Sequence, residues 1–129
     1  MAQPIPTDRE LTILRVLWAR GEATVREVHE ALRDDLPIVQ NTIQAFLRSM
    51  ADKGLVSFRT EGRSFVYRSA VAPEATRRGL LGRVLERAYD GAIDQLVQGA
   101  VDLQAPSREE RQRIRALLDR LDAGEEEVW

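Results

Sequence analysis

The sequence predicts a mainly α-helical fold with one small antiparallel β-hairpin. Two observations support this fold class. Apolar residues recur at helical spacing before residue 54 and again after residue 72. Between these regions, the apolar and aromatic runs 55–60 and 63–68 flank Glu61-Gly62, where glycine can supply the positive φ of a two-residue hairpin turn.

Composition limits the classes of protein to be considered. The chain has 129 residues, 43% of them hydrophobic, which is enough for one compact core and an extension. It has no cysteine and one histidine, so disulfides, thiolate metal sites and His-rich metal cages are excluded and no cofactor is expected. No apolar run approaches the roughly 20 residues of a membrane helix, and the first residues lack the layout of a signal peptide. We therefore expect a cytoplasmic protein without membrane insertion.

Capping boxes at Thr7 and at Ser107, each with a glutamate three residues later, mark the starts of two helices. Thr7 and Glu10 have the spacing of a hydroxyl N-cap and a carboxylate three residues later, and the helix they open should end before Gly21. Thr24 follows a brief extended link and caps a short second helix.

The third helix should end at Lys53-Gly54, and it lacks a good N-cap. One stripe of this helix is apolar and should be buried: Ile43, Phe46, Leu47 and Met50. At about 100° per residue, the opposite side carries Asn41, Gln44, Ala45, Arg48 and Asp52. Amide and guanidinium groups of this kind can pair with base edges.

The hairpin should have one apolar and one basic face. A turn at Glu61-Gly62 would set Phe58 opposite Phe65 and Val56 opposite Tyr67. We expect the aromatic rings of Phe58 and Phe65 in the core, as for Trp18 and Phe46. The other face would carry Arg59, Ser64 and Arg68.

Charge is divided along the chain. The net charge is −2, yet residues 39–70 hold five basic and two acidic side chains, whereas residues 71–129 hold nine basic and twelve acidic ones. Three helices followed by a basic hairpin is the order of a winged helix-turn-helix, in which the third helix enters the major groove of double-stranded DNA and the hairpin contacts the flanking backbone. The hairpin arginines, Arg59, Arg63 and Arg68, would then neutralise phosphates.

The chain also resembles a known family. The segments LTILRVLWARGEATVREVHEAL, NTIQAFLRSMADKGLV and EGRSFVY are similar to the penicillinase repressor family, the BlaI/MecI/CopY group of bacterial winged-helix regulators. The resemblance implies a homodimeric repressor of an inverted-repeat operator, relieved in some members by a sensor-protease. By position it assigns DNA contacts to Thr42, Gln44, Ala45 and Arg48, and to Arg63 in the hairpin. Ala45 and Ser49 stand where the family often has Thr and Arg, and the cysteine pairs of copper-responsive members are missing.

The second half should mediate dimerisation. Its helices carry apolar stripes too small to close a core alone, so a second copy would cover them and space two DNA-binding helices about 34 Å or a multiple apart. The predicted interface residues are Leu80, Leu81, Val84, Leu85, Ile93, Leu96, Val97, Ile114, Leu117, Leu118 and Leu121. A helical hairpin folded against the first domain is the alternative.

The predicted organisation is a winged-helix DNA-binding domain over 1–71, a helical dimerisation domain over 72–124, and an acidic, frayed tail over 125–129.

Two other functions are alternatives to a DNA-binding repressor. A ligand-sensing regulator of the MarR type would need a pocket, and a winged helix used for protein contact would need an acidic partner. An enzyme is disfavoured, since no glycine-rich phosphate loop or evident cluster of carboxylates is present.

Overall fold

A computed structural model describes residues 4–127 of the chain, and the side chains of 4–124. The helices are α1 (Asp8–Arg20), α2 (Val25–Leu32), α3 (Gln40–Lys53), α4 (Pro73–Arg87), α5 (Ile93–Leu103) and α6 (Arg108–Glu127), and the strands are β1 (Ala23–Thr24), β2 (Val56–Glu61) and β3 (Ser64–Ser69). The mainly α fold with a small antiparallel hairpin is confirmed. None of the described helices is both long and apolar enough to cross a bilayer.

The helix starts follow from local side-chain bonds. The Thr7 hydroxyl accepts from the Glu10 amide at 3.3 Å, and the Glu10 carboxylate accepts from the Thr7 amide at 2.9 Å. Thr24 and Glu27 repeat this capping box at α2. The N-cap of α3, Val39, makes no side-chain bond, as expected from the sequence.

The sheet has the strand order β1-β3-β2, with both pairings antiparallel. We call β2, β3 and the turn between them the wing. Its predicted register is wrong: Phe58 lies opposite Tyr67, not Phe65, and Val56 lies opposite Ser69. The last pair is Glu61 with Ser64, so the turn is Gly62-Arg63 and Gly62, at φ 63°, occupies its first central position.

The register shift leaves the two faces of the wing unchanged. The turn lies one residue later in the chain than predicted, so each residue of β2 lies opposite a residue two positions further along β3 than predicted. Because side chains alternate between the two faces of a strand, a shift of two positions keeps every side chain on its predicted side. We call the side of Val56, Phe58, Phe65 and Tyr67 the inner face, because Val56 and Tyr67 belong to the core, and the side of Arg59, Ser64, Val66 and Arg68 the outer face.

The core lies among α1, α2, α3 and the base of the wing. Its fully buried side chains are Ile13, Leu14, Leu17, Val28, Ile43, Leu47, Met50 and Leu55. Trp18 and Phe46 pack against it half-buried. The expectation that Phe58 and Phe65 are core residues is wrong, since they are 52% and 38% exposed. The wing extends beyond the helices, so only its base is covered.

One ion pair joins α1 to the end of α3. The Lys53 ammonium donates to the second oxygen of Glu10 at 2.8 Å, and Glu10 is only 2% exposed. Burial raises the pKa of this carboxyl, but the bonds from Lys53 and from the Thr7 amide outweigh burial and hold the pKa below its usual value. Glu10 therefore serves at once as the cap of α1 and as the partner of α3.

The chain forms two compact units that divide after Val84, within α4. In the first unit, α4 buries Thr76, and Gly79 lies near Ile5. In the second unit no residue of α5 is buried, and the described side chains of α6 are all exposed. The predicted domain boundary after residue 71 stays a prediction.

In the second half, a turn precedes α5 and a capping box opens α6. A turn containing Asp90 and Gly91, both at positive φ, precedes α5. Ser107 and Glu110 cap α6 as predicted, at 2.9 and 3.1 Å. Among the described residues α6 continues to Glu127, and the frayed tail expected over 125–129 stays a prediction; Val128 and Trp129 lie outside the described residues.

Replacing Lys53 by methionine should lower the free energy of unfolding by about 1–3 kcal/mol at pH 7, because the buried Glu10 carboxylate loses its charged partner. A lowered pKa contributes stability above the unfolded-state value of 4.5, and this contribution is lost as pH falls through the folded-state pKa. The difference between Lys53→Met and wild type should therefore shrink in acid. Urea unfolding at neutral and acidic pH measures it.

The matched control is Asp52→Asn, an exposed neighbour on α3, which should change stability by less than about 0.5 kcal/mol. Equal losses in the two variants, or a Lys53→Met loss that does not depend on pH, would contradict the assignment.

Candidate nucleic-acid interface

The polar side of α3 faces solvent. Ile43, Leu47 and Met50 are 0% exposed, which fixes the rotation of the helix about its axis. The predicted outward residues follow: Asn41, Ala45, Arg48 and Asp52 are exposed, and Gln44 and Thr42 are half-buried. The helix thus presents amide, hydroxyl and guanidinium groups along one accessible face, and groups of these types can hydrogen-bond to base edges in a major groove.

The inner face of the wing lies beside this side of α3. Burial raises the pKa of the Tyr67 phenol, and the positive charge of Arg48 acts on it in the opposite direction. Arg48 of α3 is therefore close enough to the base of the wing for its charge to be felt there. The polar side of α3 and the inner face of the wing therefore lie next to each other in the first unit.

The outer face of the wing is less basic than the sequence suggests. The Arg59 guanidinium donates to both oxygens of Glu22, one of them at 3.1 Å, and to Glu61 at 2.9 Å. These bonds raise the pKa of Arg59, and the bond from Arg59 holds the pKa of Glu22 below its usual value. The charge of Arg68 lowers the pKa of Glu22 as well.

This network changes the prediction for the hairpin arginines. All three are exposed, but two carboxylates surround Arg59, so its charge is already compensated within the protein. No ion pair joins Arg63, Arg68 or Arg48 to a carboxylate among the side chains of 4–124. Arg63 lies in the turn at the tip of the wing, where a cation can reach furthest from the core.

A cleft of about 280 Å³ separates the tip of the wing from the starts of α2 and α3. Its lining residues are Thr24, Val25, Arg26, Gln40, Gln44, Arg63, Ser64 and Phe65. The cleft brings together Gln44 and Arg63, which the sequence analysis assigned to DNA contacts, with Arg26, Gln40 and Phe65, which it did not assign. The only signal for α2 was the extended link Ala23-Thr24, which pairs with β3 and draws the start of α2 against the wing.

The apolar residues predicted to form a dimer interface lie at two levels of burial. Leu80, Leu85 and Leu96 are half-buried. The remaining eight are exposed: Leu81, Val84, Ile93, Val97, Ile114, Leu117, Leu118 and Leu121. Side chains such as Ile93 and Leu121, at 65% and 60% exposure, leave considerable apolar area in water.

Known proteins match both the sequence and the fold. The sequence pattern of the penicillinase repressor family matches residues 6–120. The penicillinase repressor of Bacillus licheniformis is 26% identical over 116 residues, covering 90% of this chain and 91% of that protein.

Two solved structures are similar to the first part of the chain. The DNA-binding domain of the repressor BlaI gives a TM-score of 0.52 at 28% identity, covering 57% of this chain and 90% of that one. The monomeric form of Bacillus licheniformis BlaI in complex with the blaP half-operator gives a TM-score of 0.50 at 28% identity, with the same coverage.

Three observations agree on the same kind of protein, a winged helix-turn-helix repressor. They are the order of helices and wing, the outward polar side of α3 and the family match over residues 6–120. Enzymatic activity is not a property of that group of proteins. The chain belongs to the penicillinase repressor family, whose members are DNA-binding transcriptional repressors with a winged helix-turn-helix fold.

Proposed function

We propose that this protein represses transcription by binding, as a homodimer, to an inverted-repeat operator in double-stranded DNA. The observation that carries the proposal is the accessible side of α3 with Gln44 and Arg48, beside a wing that bears Arg63 at its tip. This side reads base edges in the major groove, and the wing contacts the flanking backbone. The similarity to a BlaI monomer bound to a half-operator supports one such unit for each half-site.

The apolar residues of the second half support dimerisation. In the described part of α5 and α6, no side chain is buried, although both helices carry apolar stripes. Exposed apolar surface costs free energy at about 25 cal/mol per Å², so a second copy of the same helices is a favourable cover. Two linked α3 helices bind DNA far more tightly than one, because the second contact is made at high effective concentration.

Relief of repression by a sensor-protease is the regulatory part of the proposal, and the family resemblance supports it. Cleavage between α5 and α6 would detach the interface residues of α6 from the DNA-binding domain, which weakens the dimer and so reduces its avidity. The residues between α5 and α6 include Gln104 and Ala105, both exposed, and such a connection is accessible to a protease.

The experiment that tests the proposal is selection and sequencing of genomic fragments retained by the purified protein. We expect a short motif with two-fold symmetry upstream of regulated genes, with half-sites one or more helical turns apart. Fragments retained without any common motif, or no retention, would contradict the proposed function.

Gln44→Ala and Arg48→Ala should each change the base preference at particular positions of the selected motif. A bidentate base contact contributes about 1–3 kcal/mol of discrimination, so the affected position should lose roughly tenfold or more in selectivity. Selection repeated with each variant measures this effect. Asp52→Asn, exposed on the same side but near the end of α3, is the control and should return the wild-type motif. Unchanged motifs for Gln44→Ala and Arg48→Ala would refute direct readout by these residues.

Leu117→Asp should convert the dimer to a monomer, because a carboxylate would be buried in the apolar contact between copies. Sedimentation velocity measures the change. Gln112→Asp adds the same charge on the opposite side of α6, at about 100° per residue, and should leave the dimer intact. Dimers that persist in both Leu117→Asp and Leu85→Asp would place the interface elsewhere.

A specific protease site inserted between Gln104 and Ala105 should allow controlled cleavage. Uncut protein should bind the selected duplex as wild type does, whereas cleavage should weaken binding by roughly 100-fold or more as avidity is lost. Electrophoretic mobility shifts before and after cleavage give the comparison, and the same protease on wild type is the control. Cut protein that retains full affinity would contradict this route of relief.

A further inference from the structure

We propose that Phe58 and Phe65 on the inner face of the wing pack against the sugar–phosphate backbone of DNA, and that Arg59 positions the wing instead of binding phosphate. The inference deepens the proposed function and depends on it. It assigns an apolar contact, which the charge pattern of the sequence did not indicate, and it removes one of the expected phosphate contacts.

The two phenylalanines form a preorganised apolar surface. Their ring centroids are 5.1 Å apart in an edge-to-face arrangement, and Phe58 lies 5.6 Å from Tyr67. Tyr67 is only 4% exposed and anchors the cluster in the core. Phe58 and Phe65 are nevertheless 52% and 38% exposed, so rigid aromatic area remains in water. A partner that covers them gains apolar burial at little cost in side-chain entropy.

The position of Phe65 indicates that DNA covers this aromatic surface. Phe65 lines the cleft that Gln40 and Gln44 of α3 share with Arg63 of the wing. When the third helix of a winged helix occupies a major groove and the wing contacts the flanking backbone, a DNA strand passes between these two elements. Deoxyribose rings are the apolar component of that strand, and Arg63 in the turn of the wing and Arg48 near Tyr67 supply positive charge for its phosphates.

The outer face lacks the free charge that a phosphate-binding surface needs. Arg59 is paired with Glu22 and Glu61, and the charge of Arg68 acts on Glu22, so these four side chains together carry no net charge. Three of the five N–H donors of Arg59 are bonded to Glu22 and Glu61, and a phosphate that approached the remaining donors would be repelled by these two carboxylates. Glu22 directly precedes β1, so its bonds to Arg59 tie β2 across β3 to the rest of the first unit. Arg59 thereby orients the inner face toward the cleft.

The test measures the salt dependence of binding to the duplex recovered by genomic selection. Phosphate contacts set the slope of log affinity against log salt, whereas apolar contacts shift affinity equally at all salt concentrations. Phe58→Ala and Phe65→Ala should each bind roughly tenfold more weakly per protomer with an unchanged slope. Phe65→Leu, which keeps apolar area, should recover most of the loss.

Arg63→Gln and Arg59→Gln provide the electrostatic comparison. Arg63→Gln should reduce the slope by about one per protomer, because one phosphate contact is lost. Arg59→Gln should leave the slope unchanged and lower affinity only through a looser wing. The exchange Glu22→Arg with Arg59→Glu reverses the pair without changing net charge, and it should restore affinity relative to Arg59→Glu alone.

Ile5→Ala, which truncates a 37% exposed apolar side chain outside α3, the wing and the second unit, is the control and should bind as wild type. Urea unfolding of every variant separates loss of contact from loss of fold. The inference is overturned if folded Phe65→Ala binds as wild type, if it changes oligomeric state without changing affinity, or if Arg59→Gln lowers the slope as much as Arg63→Gln. Failure of the wild-type protein to bind any duplex overturns the proposed function itself.

Discussion

Burial of the apolar stripe of α3 is the constraint on which the arrangement of this protein depends. Ile43, Leu47 and Met50 have no exposed surface, and each contributes about 1.5–3 kcal/mol by leaving water. Rotation of α3 would expose this stripe and bury Arg48. The bond between Lys53 and Glu10 then ties the end of the helix to α1. The side that carries the polar groups is thus set by packing on the opposite side, and no contact to DNA is needed to form it.

The wing shows how charge and apolar surface can be divided between two sides of a thin sheet. On its outer face Arg59 is paired with carboxylates, and its inner face leaves two aromatic rings partly in water. Counting arginines along the hairpin overestimates its free positive charge, because Glu22 enters the same surface from a distant part of the chain. The net charge of a segment therefore describes its potential only after its folded neighbours are included.

The second half has helices with defined ends but without buried side chains in α5 and in the described part of α6. Capping bonds, such as those between Ser107 and Glu110, stabilise such helices locally. Short amphipathic helices are marginal in water without a packed face. The stability of this half therefore depends on what covers its apolar stripes. If a partner copy covers them, dimerisation stabilises the folded helices and also raises the affinity for DNA.

The sequence by itself determined the starts of α1, α2 and α6, the outward side of α3 and the two sides of the wing. These features depend on interactions three or four residues apart and on the periodicity of helix and strand, which are local. The tertiary structure decided the hairpin register, the exposure of Phe58 and Phe65, and the pairing of Arg59 with Glu22. Each of these depends on residues distant in the chain: β1 pairs with β3, and 37 positions separate Glu22 from Arg59. Local patterns set which side a group faces, but only packing sets what it meets there.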